Sequence, residues 1–437
     1  MHRFFPHTDE DIKQMLDVIG VKDLKGLYAE IPEQLKLKKE LNLPEGMSEI
    51  EIRQRFHELT DKNKELVCFA GAGAYDHYTP SVIPYIASRS EFCTSYTPYQ
   101  AEISQGTLQY IFEYQTMMAE LTGMDLSNAS MYDGTTVAAE AAAMCVAAAK
   151  KRNTVLVSET VPAYIREVMH TYAKYQDIRL EVIADQNGQT DRDALKNRLS
   201  QNDIAGVVVA QPNRYGIVED FTGLADECHA TKALLVINGP ASPLGSLRTP
   251  GEWGADIACG EAQSLGIPLN YGGPYIGYLC TTNALIRKLP GRIVGETTDA
   301  NGQRAFVLTM QAREQHIRRE KATSNICTSQ GLMCLYVTIY LSLMGKQGLS
   351  EVNTQSYAKA HLLHDELLKT GKFAKAFDAP FFNEFCLSYN GNVDELLNKC
   401  AEKGYLAGVK IDDHKILFAV TEKRTEEEIY KLIDLVK

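Results

Sequence analysis

Between about residues 66 and 330, short β-rich apolar runs alternate with segments of helical spacing. The runs are NTVLVSE, RLEVIAD, AGVVVAQP, ALLVING and ADIACGE, spread over residues 153–261. Strands apolar on both faces and separated by helix-length spacers predict a mostly parallel sheet covered by helices. Several runs end in a polar or glycine-containing turn, and open α/β sheets bind ligands beyond such carboxyl ends. A long apolar helix is expected from about residue 331. After it, NEFCLSYN, NVDELLNKCAEKG, KILFAVTE and TEEEIYKLIDLV read as strand, helix, strand and helix, a compact second α/β lobe.

Residues 1–65 read differently, as helical and rather polar with a break at LNLPEGMSE. Thr8 and Asp11 have capping-box spacing, and Ile12, Met15, Leu16 and Ile19 form a stripe at helical spacing. This segment is expected to be an arm laid over another surface. The expected organisation is an arm at 1–65, a large α/β domain at 66–330, and a connecting helix with a small α/β domain at 331–437.

Composition narrows the classes. A formal net charge of −11 argues against a dedicated binder of nucleic acid or anionic membrane. HIRREK at 316–321 reads either as a local basic patch or as a solvated helix face. None of the ten cysteines forms a Cys-x-x-Cys pair, so zinc-ribbon and thioredoxin-type motifs are missing. Cys145 and Cys334 sit in apolar helical runs as small hydrophobes, and a reducing cytosol is the simplest location. The N-terminal segment has no apolar h-region and carries Asp9, Glu10 and Asp11, which fits neither a secretory signal nor a transit peptide. GLMCLYVTIYLSLMG at 331–345 reads as too short and too polar to span a bilayer.

The candidate chemistry lies in a few stretches. Asp133, Gly134, Thr135 and Thr136 open an alanine-rich helix, where N–H groups and the dipole suit an anion; the plain alternative is an ordinary N-cap. Tyr96, Thr97, Pro98, Tyr99, Gln100, Glu102 and Gln105 form a dense polar and aromatic lead-in to a helix. GAGAYDHYTP at 71–80 is a glycine-rich turn whose lone His77 reads as structural, with no second histidine at metal-ligand spacing.

The order of these parts is that of fold-type-I pyridoxal-phosphate enzymes. There a phosphate-cradling helix start precedes a strand ending in Asp, for the ring nitrogen, and then a strand ending in the Schiff-base Lys. Here the first of those strands ends in Asn238 and the second leads into Gln263 and Ser264, and no lysine occurs between Lys232 and Lys288. A chain with this framework and neither group is not expected to do that chemistry alone.

The wording of whole segments is more specific. With GAGAYDHYTP, YTPYQAEISQGTLQYIFEYQ, MYDGTTVAAEA, GEAQSLGIPLNYGGP, LPGRIVGETTDANG and REQHIRREKATSNICTSQ, the chain resembles over nearly its whole length the glycine-cleaving P-protein family, glycine dehydrogenase (decarboxylating). The likeness is to subunit 1, the α half of the split bacterial form. It implies a PLP-dependent transferase-like (fold type I) α/β fold. The family is built from two homologous halves, one of which binds pyridoxal phosphate. Its cofactor-bearing half carries His-Lys-Thr before an Ile-Pro and a glycine-rich turn. Setting Ile267-Pro268 and Gly272-Gly273-Pro274 against that turn puts Gln263 at the lysine position, Ala262 at the histidine position and Asn238 in place of the Asp.

What the resemblance implies is a chain that binds no cofactor and no metal itself, with pyridoxal phosphate on a β subunit in an α2β2 assembly. Glycine would lose carbon dioxide there, and its aminomethyl group would pass to the lipoyl group of H-protein. Asp133, Gly134, Thr135 and Thr136 would be a vestigial phosphate loop. Thr97, Tyr99, Gln100 and Glu102, with Thr323, Ser324 and Asn325 of KATSN, either reach the partner's pocket or only stabilise the subunit interface. Two other readings are a self-sufficient pyridoxal-phosphate enzyme using Lys321, and a non-catalytic scaffold or regulatory subunit.

Overall fold

The computed structural model describes residue 4 and residues 6–149, 151–270 and 272–437. The chain divides into two compact units, Met1–Lys64 and Glu65–Lys437.

In the first unit, helix α1 (Asp9–Ile19) starts at a full capping box between Thr8 and Asp11 and stops at Gly20 in the left-handed region, φ 82°. Of its apolar stripe only Leu16 is buried, while Met15 and Ile19 remain 41% and 59% exposed. A second boxed helix, α2 (Glu49–Thr60), begins at Ser48 with Glu51. Between them lie two short 3-10 turns, Leu24–Tyr28 and Glu33–Leu35.

The second unit is built on a seven-stranded sheet. Its strands are β1 (Leu126–Ser127), β2 (Thr154–Ser158), β3 (Arg179–Ile183), β4 (Ile204–Ala210), β5 (Leu234–Asn238), β6 (Ile257–Glu261) and β7 (Gly277–Thr281), in the spatial order β1-β7-β6-β5-β4-β2-β3. The run β6-β5-β4-β2-β3 is parallel, and β7 is antiparallel to both β6 and β1. Side chains alternate between faces as the pleat requires. On β7, Tyr278 and Cys280 join the core under α3 (Gln105–Thr122), and Leu279 joins the core under α4 (Gly134–Ala149).

Helix α4 is apolar nearly all round and is buried from Val137 through Cys145. It lies so close to β6 that a Cβ on Gly134 would meet the Cβ of Glu261 at 2.7 Å, so glycine is required at the helix start.

The long helix α5 (Gly331–Lys369) is apolar and long enough to cross a membrane by composition, but its helical backbone breaks at Gly345, φ 57° and ψ −172°. The run before the break, 331–344, is shorter than the ~20 residues that spanning requires. The C-terminal lobe is a four-stranded sheet of β8 (Phe373–Lys375), β9 (Glu384–Tyr389), β10 (Val409–Asp412) and β11 (Lys415–Ala419), ordered β8-β9-β11-β10. Helices α6 (Val393–Glu402) and α7 (Glu426–Val436) complete it.

Three features depart from the sequence reading. HIRREK is not one helix face: Gln315–Arg318 and Arg319–Lys321 are separate single turns, with Arg319 at φ 54°. LPGRIVGETTDANG opens an antiparallel hairpin, Ile293–Thr298 with Arg304–Thr309, which its mixed polarity conceals. Val67–Cys68 pairs with Tyr405–Leu406 of the C-terminal lobe, so the start of the second unit is woven into its end.

Candidate functional site

A cleft of about 670 Å³ opens at the carboxyl ends of β2, β4, β5 and β6. Asp133, Gly134, Tyr164, Asn238, Glu261 and Glu384 are among its lining residues. The position follows from the topology, because parallel strands converge there and the connecting loops part.

Gln263 is 1% exposed, and its amide is bonded at both ends. Its Oε1 accepts from Tyr75 N–H at 2.9 Å; its Nε2 donates to Tyr75 O at 3.0 Å and to Ile267 O at 2.7 Å. The side chain therefore clamps the 71–80 turn to the end of β6. Ala262 beside it is buried, and Ser264 Oγ accepts from Ser242 N–H at 3.2 Å.

Asn238 ends β5, is 3% exposed, and gives its Nδ2 only a weak contact to Cys259 Sγ at 3.6 Å. Its Oδ1 accepts no hydrogen bond among the described residues.

The start of α4 is fully engaged. Asp133 Oδ1 accepts from Thr135 N–H at 2.9 Å and Thr136 N–H at 2.8 Å, and also from both threonine hydroxyls. Glu261 reaches across from β6 to take the remaining donor: its Oε2 accepts from Gly134 N–H at 2.9 Å. Its Oε1 accepts from Gln263 N–H and Ile276 N–H, both at 3.0 Å. An internal carboxylate thus occupies the anion position of the helix dipole. Burial pushes the Glu261 carboxyl up to about 7 despite these three donors, with the nearby Asp133 charge adding to the rise.

A second buried carboxyl, Glu384 on β9, forms another wall. It accepts from Ala72 N–H at 2.6 Å and Tyr75 O–H at 3.0 Å, and burial pushes it up to about 7 as well. Sequence reasoning missed both Glu261 and Glu384. For Glu261 the signal was an acid on the last residue of a parallel strand; for Glu384 no local signal existed, because its partners lie more than 300 residues away.

His77 is structural in its contacts: its Nδ1 lies 2.6 Å from Glu422 Oε2. Lys321 is exposed in a single turn and is not part of the cleft wall. Among the described residues, Lys410 on β10 is the lysine that lines the cleft, but it is held by Asp394 at 2.6 Å and Asp413 at 2.8 Å. Those bonds push its ammonium up to about 12, which keeps it protonated rather than nucleophilic.

The other sequence candidates gather elsewhere. Arg292 Nη2 donates to Tyr99 Oη at 2.9 Å, and the Tyr99 ring lies 6.4 Å from that of His316. Ser324 Oγ donates to Glu140 Oε1 at 2.7 Å, and Thr323 and Ser324 border a small recess with Arg287 and Arg313. Thr97 and Gln100 use their carbonyls for local turns, and Glu102 and Asn325 are exposed. None of these residues lines the 670 Å³ cleft.

Comparison with known proteins agrees with this architecture. The family described as glycine cleavage system P-protein matches residues 2–436. A relative from Moorella thermoacetica, named probable glycine dehydrogenase (decarboxylating) subunit 1, is 47% identical over 98% of this chain and 98% of its own. A protein of the same name from Geobacillus thermodenitrificans is 45% identical over 99% and 98%. The crystal structure of a glycine decarboxylase (P-protein) of the glycine cleavage system, in inhibitor-bound form, superposes with a TM-score of 0.92 at 39% identity, covering 99% of each chain. A Lactobacillus brevis glutamate decarboxylase shares the fold, with a TM-score of 0.66 at 14% identity over 95% and 96% of the two chains.

Proposed function

Because the chain belongs to the glycine cleavage system P-protein family, we propose that it is the half of a two-chain glycine dehydrogenase (decarboxylating) that does not carry the cofactor. Its relatives bear the name subunit 1, which supports a second subunit. In this reading the second chain holds pyridoxal phosphate, and the pair removes carbon dioxide from glycine and passes the aminomethyl group to a lipoyl group on H-protein. The setting is the cytosol, and α2β2 is the proposed assembly.

The observation that carries the reading is the state of Gln263. The position set against the reactive lysine holds an amide, buried and bonded to Tyr75 and Ile267. Nothing else in the cleft fits the cofactor either. Asn238 cannot carry the charge that keeps a pyridine ring protonated, and the N–H donors that would cradle a phosphate are taken by Asp133 and Glu261. A phosphate there would face two carboxylates with no basic side chain paired to either.

The N-terminal unit supports a partner chain. Leu35, Leu37, Leu41 and Leu43 are 72%, 79%, 64% and 72% exposed, four leucines interleaved with Lys36, Lys38, Lys39, Glu40 and Asn42 that a second chain would cover. Tyr99, Ser324 and their neighbours are proposed to face the partner's site or its interface. The test is glycine–carbon dioxide exchange measured with each chain alone and with both mixed. Exchange is expected only in the mixture, with borohydride fixing the cofactor to a lysine of the second chain. A borohydride-stable adduct on this chain, or full exchange by it alone, overturns the reading.

A further inference from the structure

The cleft that does not fit pyridoxal phosphate still has 670 Å³ of space, and its electrostatics have a definite sign. Asp133, Glu261 and Glu384 lie on its walls, and among the described residues no Lys, Arg or His lies within ion-pair distance of any of them. The basic groups at the rim are already matched. Arg214 lies 3.4 Å from Asp185 and 3.9 Å from Glu159, and Lys410 pairs with Asp394 and Asp413. The backbone donors that could have served an anion are used by the cleft's own carboxylates.

Two further observations concern the ligand. Asn238 is 3% exposed and lines the cleft, and its Oδ1 accepts from no protein donor among the described residues, so a donor inside the cleft can reach it. Tyr75 and Tyr164 belong to the same wall, with the Tyr75 hydroxyl donating to Glu384 and the Tyr164 hydroxyl to Ala72 O. Both Glu384 and Glu261 raise the Tyr164 phenol, after the larger effect of burial, so the two carboxylates act on one shared space.

We propose that this cleft is a binding site for a small organic ammonium ion, a primary amine whose N–H donors meet Glu261, Glu384 and Asn238 Oδ1. The proposal rests on the reading that this cleft takes no pyridoxal phosphate, and the two fail on different results: a borohydride-stable adduct on this chain for that reading, the amine titration for this one. Bound ammonium supplies the positive charge that the fold omits, and it takes the place of the protons that burial otherwise holds on the two carboxyls.

That exchange sets the pH dependence. Glu261 faces Asp133 from the start of α4, Tyr278 from β7 and Tyr275 just before it. Glu384 faces Tyr75 from the 71–80 turn and Tyr164 beyond β2, while Arg214, Lys410 and Asp412 stand at the rim in pairs of their own. The phenols stay neutral through the physiological range because burial raises them further, so the two carboxyls near 7 are the groups that change.

The experiment is calorimetric titration of the full-length chain with ethanolamine, ethylene glycol, acetate and inorganic phosphate, at pH 6 and pH 8. Ethanolamine carries its charge at both values. It is expected to bind at pH 8 and at least tenfold more weakly at pH 6, as the two carboxyls near 7 move from mostly ionised to mostly protonated. Ethylene glycol, acetate and phosphate are expected not to bind. Glu384→Gln, which retains an acceptor for Ala72 N–H, is expected to weaken ethanolamine at least tenfold at pH 8 and to reduce its pH dependence to the single step of Glu261, while Asp434→Asn, exposed and outside the cleft lining, leaves binding unchanged. Absence of ethanolamine binding at tens of millimolar overturns the proposal. So does binding of phosphate or acetate in its place, or equal affinity for ethylene glycol. Should Glu384→Gln fail to fold, the charge selectivity and pH profile of the unaltered chain decide the matter.

Discussion

At the scale of the residue, Gln263 and its two acidic neighbours account for most of the site's character. On the proposed reading, lysine at position 263 alone would not restore a catalytic centre, because Asn238 would still not hold a ring proton and Glu261 would still take the Gly134 N–H. Gln263→Lys is therefore expected to form no borohydride-stable adduct and to release no carbon dioxide from glycine without a partner chain. Gln263→Ala removes the partner of the buried Tyr75 N–H, which costs about 1–3 kcal/mol and is read as a lower unfolding midpoint in urea. The carboxyls make stability depend on pH in a definite direction. Glu384 is held near 7 when folded against an ordinary value of 4.5, so between those values the unfolded chain gives up a proton that the folded chain keeps. Its stabilising contribution is whole below about 4.5, falls as pH rises towards 7, and is gone above. Replacement by Gln, a permanent mimic of the neutral acid, is expected to flatten that fall by an amount on the order of a few kcal/mol. Urea unfolding of both proteins at pH 4.5, 6 and 7.5 checks the sign.

At the scale of the element, α4 shows how tightly the framework is set. Gly134→Ala drives a methyl against Glu261 Cβ and its backbone N–H, and is expected to cost about 1–3 kcal/mol, seen as a fall in the thermal midpoint. Elements of this kind were legible from pattern alone. The apolar runs became the parallel strands β2 to β6, although β3 is a half-exposed edge strand rather than one buried on both faces, and the alanine-rich stretch became the buried α4. The hairpin at 293–309 was not legible, because its strands alternate around Gly295 and carry Glu296, Thr297 and Thr298, a polar face that reads as loop. The site was half legible. Gln263 and Asn238 announce themselves as wrong side chains at the ends of recognisable strands. The meeting of Glu261 with Gly134 depends on a contact 127 residues apart in sequence, and Glu384 with Ala72 on one 312 apart, and no local period encodes either.

At the scale of the molecule, the proposed two-chain enzyme makes the exposed leucines of the first unit the place to test for a contact with the second chain. Leu41→Asp with Leu43→Asp is expected to leave the far-ultraviolet circular dichroism unchanged and to weaken association with the proposed second chain at least tenfold, measured by light scattering on mixed samples. The clamp at Gln263 has a consequence of another kind. A lysine that takes and releases a substrate must swing, and the backbone around it must tolerate two positions. A glutamine amide fastened to Tyr75 and Ile267 has one. The turn at 71–80 is then a static joint between the large sheet and the C-terminal lobe, which it also meets through His77 with Glu422 and Asp76 with Arg424. Slow exchange of the Tyr75 amide hydrogen, equal with and without glycine, is the signature of such a joint. On the proposed reading, such a half would serve as the stationary side of a machine whose other half moves.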